Sequence, residues 1–495
     1  PALADAFSGH KDWQVFVASA LVTGFISGAL ILTNRGTLPP LSVKQAFLLT
    51  SLSWLGLTGF SALPFAFGDL DLSYTDAFFE AMSGLTTTGA TIITNLEDAP
   101  PGILLWRALL QWFGGIGIIV MAISVLPMLN VGGMQLFRLE SSDTSEKILP
   151  RTAQIAGSIT RLYFAITLFC VIAYIMAGMS VFDAIAHAMT TIATGGFSTR
   201  NESFAAFSPA VSVVAVVFML ASSLPFVAYL QLVNRKFDKF VQDAQIRTFL
   251  LIALSATLAM WAYQLSQGVE VGSSAMLSAA FNTTSILTGT GYVSTDYGEW
   301  GPFAIAMFFI LTFIGGCAGS TSCGIKIFRL QVIVKAGWRY IRQLTLPNGV
   351  FVIRYNGRLL DDEVANSAVA FVLIFHSVIL CHRNIVKPDG ARPADRFIGF
   401  RGCHCQCKPR PWPRNWPNRH LCRSAGQCPM GIEFGHAARA FRVSNRAGYV
   451  CTQFLAPLKP NRQLAATRLA WRASALSPPE SLPAYPKRSA PKTAR

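Results

Sequence analysis

The sequence predicts an all-α polytopic membrane protein, and three observations support this fold class. The chain of 495 residues is 52% hydrophobic and only 13% charged, a composition typical of membrane proteins. Long apolar segments recur along it, and each is close to the ~20 residues with which a helix crosses a bilayer. Between them, a short apolar segment followed by a Thr/Gly run occurs three times, which indicates an internal repeat.

The apolar segments give the order of the predicted elements. Spans are predicted over residues 13–33, 46–67, 103–129, 155–179, 209–233, 248–265 and 302–328. A further span begins at residue 364. Helices too short to cross are predicted over residues 78–85, 182–191 and 273–287. The polar residues 131–151 are predicted to hold a small amphipathic helix, MQLFRLE. We expect Trp106, Arg107 and Trp112 at the membrane interface, where Arg107 would extend towards water.

The three Thr/Gly runs are the stretches most informative about function. They read AMSGLTTTGAT (residues 81–91), AMTTIATGGFST (188–199) and FNTTSILTGTGYVST (281–295). Glycine allows backbone carbonyls to turn inward, and a ring of carbonyls replaces the water around a potassium ion in a pore. We therefore expect repeated units of span, pore helix, loop and span (M1–P–M2) around a central ion pathway, three of them intact and the fourth truncated.

Loop charges indicate the orientation and the charge of the substrate. Loops on one side carry basic residues such as Arg138, Lys236 and Arg339, and the positive-inside rule makes this side cytoplasmic. Loops next to the Thr/Gly runs carry acidic residues such as Asp69 and Glu97. An acidic mouth concentrates cations by focusing the field. The substrate is therefore predicted to be a cation that enters from the outside.

The span over residues 302–328 is interrupted by a segment of small residues. Residues 315–324 read GGCAGSTSCG, and non-helical backbone at membrane depth is tolerated only where it lines a cavity or is buried in protein. We favour a gate in the ion pathway. The alternative is close helix packing through small residues.

Several of these segments together resemble one family. The runs TTTGAT, ATGGFST and TGTGYVST, with FIGGCAGSTSCGIK and MQLFRLE, resemble the Trk, Ktr and HKT superfamily of potassium transporters over about residues 1–380. The resemblance implies four non-identical repeats around one pore, a gating loop in the third repeat, and a homodimer in the bacterial inner membrane. It also implies a cytosolic, nucleotide-binding, TrkA-like regulatory subunit. The opening PALAD resembles the end of a preceding helix, so an extra first helix is expected to be missing.

The resemblance also assigns roles to individual residues. The predicted selectivity filter consists of Thr87, Thr88, Gly89, Ala90, Thr194, Gly195, Gly196, Phe197, Thr290, Gly291 and Tyr292. The predicted potassium contacts are Thr88, Gly89, Gly195, Gly196, Thr290 and Gly291. The predicted gate consists of Gly315, Gly316, Cys317, Ala318, Gly319, Ser320, Thr321 and Gly324. Potassium is then the substrate, and no cofactor is expected in this chain.

The last part of the chain differs from the rest, because residues 381–495 are strongly basic and rich in proline and cysteine. When their codons are read one base ahead, the permitted residues fit a fourth repeat. We therefore interpret the tail as out of frame after about Leu380, and as disordered. A zinc cluster is a weaker alternative because its spacing is unusual; its residues would be Cys403, His404, Cys405, Cys407 and His420. Binding of nucleic acid is not expected, since the tail has no regular aromatic and basic pattern.

These observations define a domain organisation. Residues 1–40 would form an extra helix, 41–150 repeat 1, 151–240 repeat 2, 241–345 repeat 3 with the gate, 346–380 the start of repeat 4, and 381–495 the tail.

Three functional hypotheses remain, and the sequence favours potassium uptake through a channel-like filter. A cation-coupled secondary transporter would need carboxylates inside its spans, but Glu80 and Asp183 lie in or beside short helices. The third hypothesis is an inactive, frameshifted copy. His187 is interpreted as a structural histidine, with a proton site as the alternative. Membrane lipid is an expected partner, and no enzyme activity is expected.

Overall fold

The computed structural model describes residues 1–34, 36, 43–124, 148–268 and 272–385, and most of these residues are helical. They all lie in the first of two compact units, residues 1–423. The MQLFRLE segment and the part of the tail after residue 385, including the proposed zinc cluster, lie outside the described residues.

The described helices follow one another with short connections. In chain order they are α1 (Ala2–Ser8), α2 (Trp13–Thr33), α3 (Val43–Ser61), α4 (Leu63–Phe67), α5 (Tyr74–Leu85), α6 (Pro101–Ser124), α7 (Ile148–Met176), α8 (Val181–Ile192), α9 (Pro209–Ser222), α10 (Phe226–Val233), α11 (Phe237–Gln242), α12 (Ala244–Gln267), α13 (Ser273–Thr288), α14 (Pro302–Leu311), α15 (Ile327–Thr345) and α16 (Asp362–Ile385).

Length and composition identify the membrane spans among these helices. Six segments of the described residues are long and apolar enough to cross a bilayer: Trp13–Thr33, Leu48–Phe67, Pro101–Val120, Ala156–Met176, Ala244–Gln267 and Asp362–Ile379. The bent pair of α9 and α10 makes a seventh if it is one span. The prediction of a helical, polytopic membrane protein is confirmed.

The three predicted short helices are α5, α8 and α13, and two of them begin in the same way. The Ser73 hydroxyl accepts a hydrogen bond from the Asp76 amide, and the Ser180 hydroxyl accepts one from the Asp183 amide. A serine side chain thus satisfies one free N–H group at each helix start. Equivalent starts place the ends of α5 and α8, and the loops that follow, at equivalent positions in repeats 1 and 2.

The packing of the helices arranges the repeats side by side. The second repeat's pore helix α8 packs against its own span α7 and against α6 of the first repeat. Likewise, α13 of the third repeat packs against its own span α12 and against α9 of the second. The pore helices of repeats 2 and 3 therefore each lie between a span of their own repeat and a span of the preceding one.

The span predicted over residues 209–233 is not continuous, which corrects the sequence prediction. Helices α9 and α10 meet at 93°. Pro225 lies in the break and has no N–H group for a helical hydrogen bond, and the residue before a proline is biased away from helix. The Ser223 carbonyl, freed at this break, accepts a hydrogen bond from Cys317 N at 3.0 Å. The bend in repeat 2 therefore contacts the predicted gate in repeat 3.

A small β-hairpin follows the third repeat and is a further departure from an all-helical prediction. Strands β1 (Arg354–Tyr355) and β2 (Arg358–Leu359) pair antiparallel. Asn356 and Gly357 form the turn between them with φ of 45° and 80°, as a tight hairpin turn requires. The hairpin packs against α15 and α16 through a shared apolar cluster. Helix α16 is the predicted start of the fourth unit, and it continues to Ile385.

Candidate ion filter and gate

The backbone follows the same path in all three Thr/Gly loops. We call residues 87–90, 194–197 and 289–292 filter loops 1, 2 and 3. In each loop the first and third residues have positive φ; these pairs are Thr87 (56°) and Gly89 (78°), Thr194 (49°) and Gly196 (77°), and Gly289 (75°) and Gly291 (80°). Positive φ is rare for a β-branched residue such as threonine. Strain of this kind persists where the surrounding structure fixes the backbone, often at functional sites.

Neighbouring filter loops approach each other through their glycines. A methyl group added to Gly89 would overlap the carbonyl oxygen of Gly195, and one added to Gly196 would overlap the carbonyl oxygen of Thr290. Both positions therefore exclude a side chain for reasons of space as well as of φ. The structure thus brings the predicted filter residues of loops 1, 2 and 3 together. No fourth filter loop lies within the described part of the chain.

One polar residue of each pore helix hydrogen-bonds to a residue that follows the filter loop. Glu80 precedes Thr87 by the same interval as His187 precedes Thr194 and Asn282 precedes Gly289. Glu80 Oε2 accepts from Ile92 N at 3.0 Å. Asn282 Oδ1 accepts from Ser294 N at 3.3 Å, and its amide nitrogen donates to Ser294 Oγ at 2.9 Å. Three different side chains therefore perform the same task in the three repeats.

His187 is the member of this set in repeat 2. Its Nδ1 lies 2.8 Å from the carbonyl oxygen of Asp183, and its Nε2 lies 3.0 Å from Ser198 Oγ. Because a carbonyl can only accept, Nδ1 carries the proton and Nε2 accepts from the serine hydroxyl. The ring is fully buried. This arrangement agrees with the structural interpretation of His187.

Arg107 does not extend to the membrane interface, so that prediction was wrong. Its side chain is 1% exposed, and its Nε lies 2.8 Å from Glu80 Oε1. The buried carboxylate and two further acceptors satisfy the guanidinium, since it also donates to Ser198 O and to Thr91 Oγ1, each at 3.0 Å. Arg107 therefore connects the backbone at Ser198, directly after filter loop 2 in the chain, to the pore helix of repeat 1.

Of the two tryptophans predicted at the interface with Arg107, only Trp106 remains partly exposed. Its indole N–H donates to Ser61 O at 3.0 Å. Trp112 is buried, and its indole N–H donates to Thr167 Oγ1 at 3.1 Å.

Gln111 contacts the filter and was missed by the sequence reasoning. It lies one turn after Arg107 on α6 and is fully buried. Its Nε2 donates to Gly195 O at 2.8 Å, and its Oε1 accepts from Phe197 N at 3.0 Å. A glutamine four residues after an arginine in an apolar span is the signal that was available. On a helix, that spacing places both residues on one face.

The predicted gate lies beneath filter loop 2. We call residues 315–324 the gate loop; its ends meet where Gly315 N donates to Ile325 O at 2.9 Å. The Thr321 hydroxyl is 3.0 Å from Ile192 O, at the end of α8, and 3.1 Å from Ser222 O, at the end of α9. The loop is thus joined to the pore helix that leads into filter loop 2, and to the bend after α9.

Two other side chains support the gate loop from outside it. Gln245, at the start of α12, accepts from Ala318 N at 2.9 Å. The Lys326 ammonium donates to the carbonyl oxygen of Ser322 and lies 3.4 Å from that of Ser320. The gate loop is therefore an ordered, hydrogen-bonded segment, as expected for non-helical backbone at membrane depth.

The space outside filter loop 2 is a small cavity of mixed charge. Its lining includes Arg107, Ser198, Arg200 and Glu202. Arg200, a basic residue that follows filter loop 2, lies 3.3 Å from the Asp183 carboxylate. Asp183 is thereby partly neutralised, and the cavity lies beside Gly89 of filter loop 1.

Comparison with known proteins agrees with this geometry. Residues 12–391 match a family model described as TrkH, cation transport protein. The chain is similar to the Trk system potassium uptake protein TrkI of Halomonas elongata, with 45% identity over 340 residues, 68% of this chain and 69% of that protein. It is also similar to the Trk system potassium uptake protein TrkH of Escherichia coli K12, with 36% identity over 399 residues, 78% of this chain and 81% of that protein.

The solved structures include a similar fold. The crystal structure of the potassium transporter TrkH from Vibrio parahaemolyticus superposes with a TM-score of 0.74 at 32% sequence identity. The match covers 82% of this chain and 86% of that one. The family match extends over well more than half of the chain, and two relatives above 30% identity are covered over more than two thirds of their length. The chain therefore belongs to the TrkH family of cation transport proteins.

Proposed function

We propose that this chain is the pore subunit of a Trk-type potassium uptake system. The observation that carries the proposal is the shared backbone path of filter loops 1, 2 and 3, in which glycines lie against the carbonyl oxygens of the next loop. Carbonyl oxygens held close together can replace the hydration shell of potassium. The uptake of potassium named for the relatives from Halomonas and Escherichia supports the same substrate.

The gate loop supplies the second element of the proposed mechanism. It is buried beneath filter loop 2, and its hydroxyl and amide groups bond to elements of repeats 2 and 3. We propose that potassium crosses the filter loops, that displacement of the gate loop opens the path below them, and that the membrane potential drives entry. That potential contributes about 2.3 kcal/mol per charge for each 100 mV.

The buried carboxylate of repeat 1 argues against the alternative of a cation-coupled transporter for another solute. A coupling site would need a carboxylate able to bind and release a cation. Glu80 is instead neutralised by Arg107 and accepts from Thr91 and Ile92. Membership of the TrkH family confirms that the chain is a transport protein rather than an enzyme.

We further propose the setting in which the pore works. The chain would form a homodimer in the bacterial inner membrane, surrounded by lipid, and would bind a cytosolic TrkA-like subunit that controls the gate. Potassium would be its substrate, with no cofactor bound. Basic residues on α15, among them Lys335, Arg339 and Arg342, support a cytoplasmic position for that helix.

Complementation tests this function on the full chain. The chain would be produced in a bacterial strain that lacks its own potassium uptake systems, with an empty vector as control. We expect growth at low external potassium to be restored together with potassium accumulation. No growth at a confirmed membrane abundance would contradict the proposal and would favour the inactive copy.

A further inference from the structure

Two residues on one face of α6 link filter loop 2 to repeat 1. Arg107 donates to Ser198 O, just after filter loop 2, and to Thr91 Oγ1 and Glu80, which belong to repeat 1. One turn further along, Gln111 bonds filter loop 2 at two points. Both side chains are buried.

From this geometry we propose that Arg107 and Gln111 are positioning residues that set the ion selectivity of the filter, an inference that rests on the proposed function. Neither residue is a predicted ion ligand. They fix the position of filter loop 2 relative to filter loop 1, and the spacing and number of the carbonyl oxygens determine which cation is bound.

Gln111 has a direct effect on one predicted ligand. Gly195 is a predicted potassium contact, yet its carbonyl oxygen accepts a hydrogen bond from Gln111 Nε2 at 2.8 Å. The orientation of the amide is fixed, because its other end must accept from Phe197 N, which can only donate. The Gly195 carbonyl is therefore shared between Gln111 and any ion in the filter. A shared carbonyl also turns less freely, which limits how far filter loop 2 can adjust to a smaller ion.

Arg107 acts on the same loop through charge and shape. Its guanidinium lies over the Phe197 ring at 4.1 Å from the centroid, in a favourable cation–π position. The planar guanidinium reaches Glu80, Thr91 and Ser198 simultaneously. A lysine could keep the ion pair with Glu80, but its compact ammonium lacks the planar fork of donors that spans all three acceptors here.

The test measures selectivity rather than total uptake. Potassium uptake with sodium as competitor would be recorded for the full chain and for Gln111→Met and Arg107→Lys at equal membrane abundance. The matched control is Gln264→Met, since Gln264 is also a fully buried glutamine of a span but bonds Ser278 rather than a filter loop. We expect discrimination against sodium to fall by at least about fivefold for Gln111→Met, because both of its bonds to filter loop 2 are lost and a single hydrogen bond accounts for about that factor.

Arg107→Lys should weaken discrimination in the same direction, whereas Gln264→Met should leave the potassium-to-sodium ratio unchanged. Unchanged discrimination in Gln111→Met would overturn the inference. So would an equal loss of discrimination in Gln264→Met, because the effect would then be general to buried glutamines.

A second measurement separates failure of this inference from failure of the proposed function. The thermal midpoint of the purified full chain would be compared in potassium chloride and in sodium chloride, because an ion that binds the folded state raises the midpoint. If the unmodified chain shows no uptake but a higher midpoint in potassium, the proposed transport fails. In that case the inference stands if Gln111→Met loses the difference in midpoint, and it is overturned if the difference persists in Gln111→Met. An unmodified chain whose midpoint is the same in both salts also overturns the inference.

Discussion

The hydroxyl oxygen of Tyr292 lies 2.5 Å from Thr190 Oγ1, so the residue after the third filter glycine is bonded to the pore helix of the second repeat. The equivalent residue of filter loop 2, Phe197, packs instead on the pore helix of the first repeat, where a methyl group on Gly84 would lie 3.3 Å from the ring. One contact between repeats is thus hydrogen-bonded and the other is apolar. In both, the aromatic side chain at the end of a filter loop joins two neighbouring repeats.

Removal of the Tyr292 hydroxyl should weaken the contact between repeats 2 and 3. We expect Tyr292→Phe to lower the free energy of unfolding by about 1 kcal/mol, because one hydrogen-bonded group is lost while the ring keeps its packing on Phe204 at 4.3 Å. Thermal unfolding in detergent measures the change. Tyr340→Phe is the matched control, since Tyr340 is 63% exposed. Equal midpoints for Tyr292→Phe and the unmodified chain would contradict this role.

A methyl group at the second filter glycine should abolish selective uptake. In Gly196→Ala the new Cβ would overlap the Thr290 carbonyl oxygen, at a residue whose φ is 77°. The loop must then move, and the carbonyls shift with it. Gly157→Ala is the control, because Gly157 lies in a helix with nothing near its Cβ position, and alanine favours helix by up to about 1 kcal/mol. Potassium uptake retained in Gly196→Ala at full rate and selectivity would refute this assignment.

The third filter glycine should affect selectivity more than stability. We expect Gly291→Ser to loosen the preference for potassium over sodium, since a side chain at φ 80° strains the loop that holds the carbonyls. Gly268→Ser imposes similar strain at φ 64°, at the end of α12 and away from the filter. Competition between the two ions during uptake is the measurement. If the two variants lose selectivity equally, Gly291 has no special place in the filter.

Loss of the Thr321 hydroxyl should release the gate loop. Thr321→Val keeps the shape of the side chain but removes the bonds to Ile192 O and Ser222 O. We expect higher potassium flux in the absence of any cytosolic partner, recorded in liposomes. Thr312→Val is the control, since the Thr312 hydroxyl bonds only its own helix, at Phe308 O. Flux equal to that of the unmodified chain would mean that these bonds do not keep the gate closed.

The sequence was sufficient to predict the filter loops because their signal is local and repeated. The third position of each loop needs a residue that permits positive φ, and the Thr/Gly runs place Gly89, Gly196 and Gly291 there. The short helices before the loops were predictable for the same reason. Gly315 and Gly324 likewise indicated the interruption in the third repeat, and the backbone there is non-helical. The positive φ of Thr87 and Thr194 was not predictable from the residue type.

The two residues of α6 that hydrogen-bond to the filter region, Arg107 and Gln111, were not predictable in this way. The partner of Arg107 is Glu80, on another helix, and its further acceptors Thr91 and Ser198 belong to two repeats. The rule that places a lone arginine of a span at the interface applies only where it has no buried partner. Gln111 has the same difficulty, because its acceptor Gly195 is distant in sequence. Pro225, by contrast, was a local signal for the bend after α9, and the sequence reasoning overlooked it.

Ion flux through the purified full chain in liposomes is the direct test of a potassium filter formed by the three loops. Rubidium entry, as a tracer for potassium, would be measured against increasing sodium for the unmodified chain and for Gly196→Ala. We expect sodium to compete poorly with rubidium entry in the unmodified chain, and Gly196→Ala to lose this preference. The contradicting result is that sodium suppresses rubidium entry as effectively as potassium does and that Gly196→Ala changes nothing. A potassium filter formed by these three loops would then be excluded.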